Sequence, residues 1–304
     1  MSISTADAGA EPMLQESRER TDAILEAWAV RLEREDPGRL GAAMAYALRS
    51  PGKRVRPALV MAAYRACGGT SASIAGVAAA VETVHTYSLV HDDLPCMDDD
   101  DLRRGRPTTH RQFDVPTATR VGFLLVPIAA RVLVEACRSL ELSDVETGAL
   151  AVELFTAGGI AGMVGGQWLD LEAEGRALEL EELRAVHRGK TGALIEASCV
   201  LGALAARAPA PQRDAMRDFG REVGLAFQVA DDVLDATGTS EELGKTAGKD
   251  AAVAKSTYVQ LLGVEGARAA AFRHAEAAVN SLARSGVSSG TLAALARYIV
   301  TRRH

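Results

Sequence analysis

Segments of alanine and leucine, with glutamate and arginine interspersed, fill most of the chain. That mixture favours helix by intrinsic propensity. Strand signals are nearly absent: β-branched residues are scattered, and no Asn-Gly or Asp-Gly turn separates alternating runs. After a polar tail over 1–14, helices are predicted over 15–34, 38–49, 53–67, 72–94, 117–139, 143–173, 179–205, 211–236, 250–260 and 264–304, the last broken near Gly286. Pro209 and Pro211 make the clearest interruption, yet apolar helix resumes on both sides. The expectation is an all-α fold with one domain over 15–304.

Composition narrows the function. The 304 residues are 48% hydrophobic and carry a net charge of −6, as in an ordinary globular protein. The acidic balance argues against nucleic acid as a partner, and 4% aromatic residues leave little for base stacking. Cys67, Cys96, Cys137 and Cys199 form no CxxC pair, so neither a zinc site nor a disulfide framework is expected. The first twenty residues have no apolar core, and the most apolar run, Val121–Ala130, is too short to span a bilayer. No membrane span and a cytoplasmic location are expected.

Two acidic clusters carry the candidate chemistry. In HDDLPCMDDDDLRRG, Asp92 and Asp93 end an apolar helix before Pro95, and Asp98 to Asp101 follow. In FQVADDVLD, Asp231 and Asp235 are four apart and share a helical face, with Asp232 beside them and Gln228 one turn earlier. An isolated acidic run is ordinarily a solvated face. Val229, Ala230, Val233 and Leu234 make that unsuitable here. Two carboxylates about 4 Å apart repel by roughly 4 kcal/mol at an effective dielectric near 20 unless a cation intervenes. All-oxygen donors suit a hard cation. A calcium loop is excluded, because its sixth and twelfth positions are Met97 and Arg103, so Mg²⁺ with a diphosphate is the inference.

Basic residues stand near both clusters: Lys53, Arg54 and Arg56, then Arg103 and Arg104, then Lys190, then Lys245, Lys249 and Lys255. Singly each is surface charge; as a set they suit phosphate. A P-loop is excluded, since Arg184 and Thr239 occupy the positions of its first glycine. His85 shares a face with Asp92, and Tyr87 and Ser88 lie about one and a half turns before it.

These segments resemble the trans-isoprenyl diphosphate synthases, and most closely the bacterial members that make farnesyl diphosphate. GKRVRP, HDDLPCMDDDDLRRGRPTTH, GGQWLDL, HRGKTGALIEAS, GLAFQVADDVLD, LGKTAGKD and KSTY occur in family order from Gly52 to Tyr258, and RYIVTRR also fits. The resemblance implies a helical bundle around a deep central cavity, commonly in a homodimer. It implies that Asp92, Asp93, Asp98, Asp231, Asp232 and Asp235 hold Mg²⁺, three ions in all, on an allylic diphosphate. Arg103, Lys190, Lys245 and Lys255 would contact that diphosphate, supported by Asp170 and Gln167. Lys53, Arg56, His85 and Arg104 would hold isopentenyl diphosphate. Thr191 and Gln228 would stabilise the carbocation, with Lys190 and Arg103 assisting ionisation.

Tyr87 and Ser88, together with the Pro95-Cys96 insertion, resemble the pattern of C15 producers, with C10 and C20 as alternatives. One departure stands out: Phe123 occupies a position where the family usually has an acidic residue, and Pro127 is expected to interrupt the helix that follows it. A class I terpene cyclase is the competing reading, but it needs no second diphosphate site and usually lacks the second aspartate cluster. A non-catalytic subunit of a heteromeric synthase is the other, and only Phe123 favours it.

Overall fold

The computed structural model describes residues 7–173, 175–238, 256–287 and 289–302. At its centre is α4 (Ile74–Asp92), buried on every side from Ile74 to Val84. A helix without a polar face must be wrapped by others. Around it pack α1 (Asp7–Glu35), α3 (Val55–Ala66), α6 (Val115–Ser139) and α10 (Ala193–Ala205), while α2 (Arg39–Leu48) lies against α1 and α6. A second long helix, α11 (Ala210–Thr237), packs between α10 and α12 (Tyr258–Arg284). Finally α13 (Gly290–Thr301) lies against α1, α11 and α12. The shorter helices are α5 (Thr109–Gln112), α7 (Asp144–Gly158), α8 (Met163–Glu172) and α9 (Leu180–His187). The fold is all-α, as expected.

Several boundaries differ from the expectation, each for a physical reason. The stretch read as a polar tail is helical from Asp7, and it buries Ala10, Met13 and Leu14 in the core. The predicted helix over 143–173 breaks at Gly159–Gly162 into α7 and α8. Asp144–Glu172 is apolar and long enough to cross a membrane by composition, but the break leaves helices of 15 and 10 residues. Neither reaches the roughly 20 residues a span requires. Pro127 does not interrupt its helix: α6 continues through it, with the ring at the exposed surface. The predicted helix over 250–260 lies largely outside the described residues, and α12 bends at Gly263, whose φ is +70°.

One short strand pair also escaped the sequence reading. Leu102–Arg103 pairs with Arg106–Pro107 in antiparallel register. Its turn residues, Arg104 and Gly105, both have positive φ (54° and 74°), as the twist of a two-residue hairpin demands. This hairpin sends Arg103 and Arg104 in different directions, with consequences for the site.

Candidate active site

Both acidic clusters sit at C-terminal ends of central helices, α4 and α11. Past Asp92 the chain folds back on itself: the Asp98 amide donates to the Asp92 carbonyl at 2.8 Å and the Asp100 amide to the Asp93 carbonyl at 3.3 Å. The wrapped loop crowds Asp98 toward Asp92. Burial, opposed by Lys190 and reinforced by Asp98, pushes the Asp92 carboxyl up to about 6. Asp93 is likewise pushed up to about 6 by burial, against the pull of Arg103. Arg103 Nε donates to Asp93 Oδ1 at 2.8 Å, and its Nη2 to Asp100 Oδ2 at 3.1 Å. Asp93 is therefore tied to the hairpin, while Asp92 faces Lys190.

Lys190 and Thr191 lie on a π-helical turn, Arg188–Gly192, between α9 and α10. Such turns are uncommon and often occur at functional positions. Glycines permit this one: a Cβ on Gly166 of α8 would sit 1.9 Å from the Lys190 nitrogen. The close approach brings Lys190 Nζ to 2.6 Å from Asp170 Oδ2. Both side-chain amide atoms of Gln167, one turn before Asp170, are buried without a hydrogen-bond partner among the described residues.

The same π turn reaches the second cluster. Thr191 Oγ1 donates to Gln228 Oε1 at 2.8 Å, and Gln228 Nε2 donates to Asp232 Oδ1 at 3.3 Å. This network fixes the amide orientation and leaves Thr191 oxygen lone pairs available. Asp232 is buried and accepts from the Tyr258 amide at 2.8 Å, anchoring the start of α12. Asp231 is more open and accepts from Arg302. Asp235, half-buried, lies one turn further along α11. Lys190, paired with Asp170 and within electrostatic reach of Asp92, and Thr191, bonded to Gln228, thus lie on one turn between the two acidic helix ends.

Lys53, Arg56, His85 and Arg104 form a basic cluster within electrostatic reach of Asp231. Arg56 Nη1 lies 3.3 Å from His85 Nε2; arginine can only donate, so that imidazole nitrogen accepts. Burial and the surrounding arginines keep His85 neutral, holding its pKa well below the usual value. Burial also moves Arg56 down to about 10, still fully charged at neutral pH. Desolvation, with repulsion from Arg302 and Arg104, lowers Lys53, which Asp231 partly offsets. Arg104 reaches back to donate to the Pro51 carbonyl.

Arg54 behaves differently from its two neighbours. Its φ of 52° turns it inward before α3, where it pairs with Glu82 at 2.6 Å and Asp22 at 2.7 Å. It is a structural residue. Tyr87 meets His91 edge-on at 5.4 Å, and His91 meets Phe123 at 5.2 Å. Ser88 donates to its own helix, at the His85 carbonyl. Lys245 and Lys255 lie outside the described residues.

Sequence reasoning left Arg302 without a role; only its place in the basic RYIVTRR segment marked it. It also missed His110, whose ligand-type atom lies within 4.8 Å of those of Asp99 and Asp101 in the first acidic cluster. Arg111 already donates to Asp101 there.

The donors fit a hard divalent ion. Asp92 and Asp98 at the end of α4 and Asp231 on α11 carry oxygens of the kind such an ion prefers, burial and mutual repulsion penalise the ionised Asp92, and the buried Gln167 amide has no partner among the described residues. Two acid-ended helices with a lysine between them and a cluster of cations beside them have the chemistry that suits a polyanion carried with divalent ions. The polyprenyl synthetase family model matches residues 37–285, and the chain belongs to that family. It is 40% identical over 299 residues to the farnesyl diphosphate synthase of Geobacillus stearothermophilus, covering 98% of this chain and 100% of that one. An FPP/GFPP synthase from Zymomonas mobilis superposes with a TM-score of 0.81 at 35% identity, covering 95% of this chain and 99% of that one. A geranyltransferase from Helicobacter pylori, solved with magnesium and isoprenyl diphosphate, gives 0.80 at 31% identity, covering 98% and 97%.

Proposed function

We propose that this short-chain trans-prenyltransferase joins isopentenyl diphosphate to dimethylallyl or geranyl diphosphate and accumulates farnesyl diphosphate. The main support is the π turn that sets Lys190 beside Asp170, within electrostatic reach of Asp92, and links Thr191 through Gln228 to Asp232. It supports a single diphosphate shared by both acidic helix ends. Asp92, Asp98, Asp231 and Asp235 would hold Mg²⁺, three ions in all, with Asp93 and Asp232 positioning them. When bound, the ions supply positive charge that stabilises the departing diphosphate.

Lys190 and Arg103 add to that charge as the allylic C–O bond breaks and its electron pair leaves with the diphosphate. Thr191 and Gln228 offer oxygen dipoles, without a good nucleophile, to the cation left behind. The isopentenyl double bond, held by Lys53, Arg56, His85 and Arg104, supplies the electrons of the new C–C bond. A proton then passes to an oxygen of the released diphosphate. Lys245 and Lys255 belong to the same assignment through the family resemblance.

Tyr87 supports the C15 product, because its half-buried ring stands on α4 before Asp92 and is braced by His91. Tyr87→Ala is expected to lengthen the main product to C20 or beyond, read by chromatography of products from geranyl and isopentenyl diphosphates. An unchanged C15 product would remove Tyr87 as the length determinant. The general test is the same incubation with the native chain. Farnesyl diphosphate is expected; a cyclic hydrocarbon from allylic diphosphate alone would refute the reading.

The proposal includes one domain, whose start moves from residue 15 back to Asp7 because Ala10, Met13 and Leu14 join its core, a cytoplasmic location consistent with four free thiols, and a homodimer. Exposed apolar side chains on α6 to α8 support the dimer, notably Phe123 (66% exposed), Ile160 and Trp168 (62%). Val152, Ile160, Trp168 and Leu169 border one open groove of about 770 Å³. A hydrophobic face of this kind marks an interaction surface. Ile160→Glu with Trp168→Glu is expected to yield monomer by light scattering; an unchanged dimer mass would place the interface elsewhere.

A further inference from the structure

Arg302 follows the last residue of α13 and lies over Phe227, its guanidinium carbon 4.1 Å from the ring centroid. The side chain is 2% exposed. Nη2 donates to Asp231 Oδ1. Nε and Nη1 are buried and have no hydrogen-bond partner among the described residues. A buried guanidinium with two of its three nitrogens unsatisfied is costly, so the site is incomplete as it stands.

The surroundings indicate what is missing. Arg302 repels Lys53 and Arg56, which Arg104 also crowds. Of the acidic groups close to this cluster, Glu82 is engaged by Arg54, Asp93 by Arg103 and Asp231 by Arg302. Four cations converging around so little negative charge favour a polyanion. Arg56 Nε, buried and unpartnered among the described residues, adds a further donor.

We propose that Arg302 is a two-position cation that couples the metal and isopentenyl diphosphate sites. In the metal-free chain it pairs with Asp231. When a divalent ion takes Asp231, Arg302 is released to a phosphate group in the Lys53–Arg56–Arg104 cluster. This rests on the functional reading above. Coupling of this kind is reciprocal: metal tightens isopentenyl diphosphate binding, and isopentenyl diphosphate tightens metal binding by the same factor.

The test is calorimetric titration of isopentenyl diphosphate into the full chain without an allylic partner, in Mg²⁺ and in EDTA. Native protein is expected to bind about tenfold tighter in Mg²⁺, within the usual range of coupling. Arg302→Gln should lose that difference and bind more weakly than native protein in Mg²⁺. Asp231→Asn, which frees Arg302 without metal, should bind in EDTA as tightly as native protein does in Mg²⁺. Complexation of Mg²⁺ by free isopentenyl diphosphate is common to all three proteins and cancels between them. If native protein binds isopentenyl diphosphate but Arg302→Gln keeps the full Mg²⁺ effect, or Asp231→Asn gains nothing in EDTA, the coupling is overturned and the functional reading stands. If native protein does not bind isopentenyl diphosphate at all, the functional reading falls with it.

Discussion

Asp92→Asn is expected to lower kcat by about 10²–10³-fold, the scale of losing one preorganised electrostatic contact to the departing charge, while stabilising the metal-free chain at pH 7. The second effect follows from the raised carboxyl. Asp92 ionises at about 6 in the folded chain, against an ordinary 3.8. The folded state therefore binds its proton more tightly than the unfolded state does. Stability falls as pH rises from about 4 to about 6, and above that the full penalty remains. A shift of about two units corresponds to at most about 3 kcal/mol. Asparagine removes the charge and hence the penalty. Thermal melts in EDTA should show the variant more stable than native protein at pH 7, with the difference gone near pH 4. A native chain that melts higher than the variant at pH 7 in EDTA would show that Asp92 is not held against its charge.

Glu82→Ala is expected to cost about 3–5 kcal/mol, because it leaves a buried guanidinium without its buried partner. The Arg54 and Glu82 side chains are 3% and 4% exposed. Asp22 and the Ser50 carbonyl, 2.7 Å from Arg54 Nε and Nη2, would remain but cannot replace a buried charge. The pair does more than stabilise. It holds Arg54 in its left-handed conformation at the start of α3, which sets where Lys53 and Arg56 leave the backbone. Urea unfolding measures the loss, and a change below about 1 kcal/mol would contradict the role given to this pair. Replacing both partners with apolar residues of similar volume should cost far less than removing Glu82 alone.

Much of the site was legible because its chemistry is local. Asp231 and Asp235 share a face by spacing alone, and Asp92 and Asp93 end an apolar helix before a proline. Lys190 and Thr191 were found as residue types, but not as a π turn; that depends on Gly166 of a distant helix letting two backbones touch. Arg54 looked equivalent to Lys53 and Arg56, and only its fit to Glu82 on α4 separates structural from binding arginine. Arg302 reaches Asp231 across 71 positions of sequence, beyond any local pattern. The break between α7 and α8 was missed for a related reason. Apolar residues continue through Gly159–Gly162, while the backbone there leaves the helical region. Pro127 misled in the opposite direction, because an exposed face of α6 lets its ring sit within a continuous helix.

The most direct measurement is a crystal structure of the chain with Mg²⁺ and an allylic thiodiphosphate that resists ionisation. The account expects Mg²⁺ ions bound by Asp92 and Asp98 on one side and Asp231 on the other, all touching the same diphosphate. Ions at only one helix end, or a diphosphate lodged solely against Lys53 and Arg56, would contradict it.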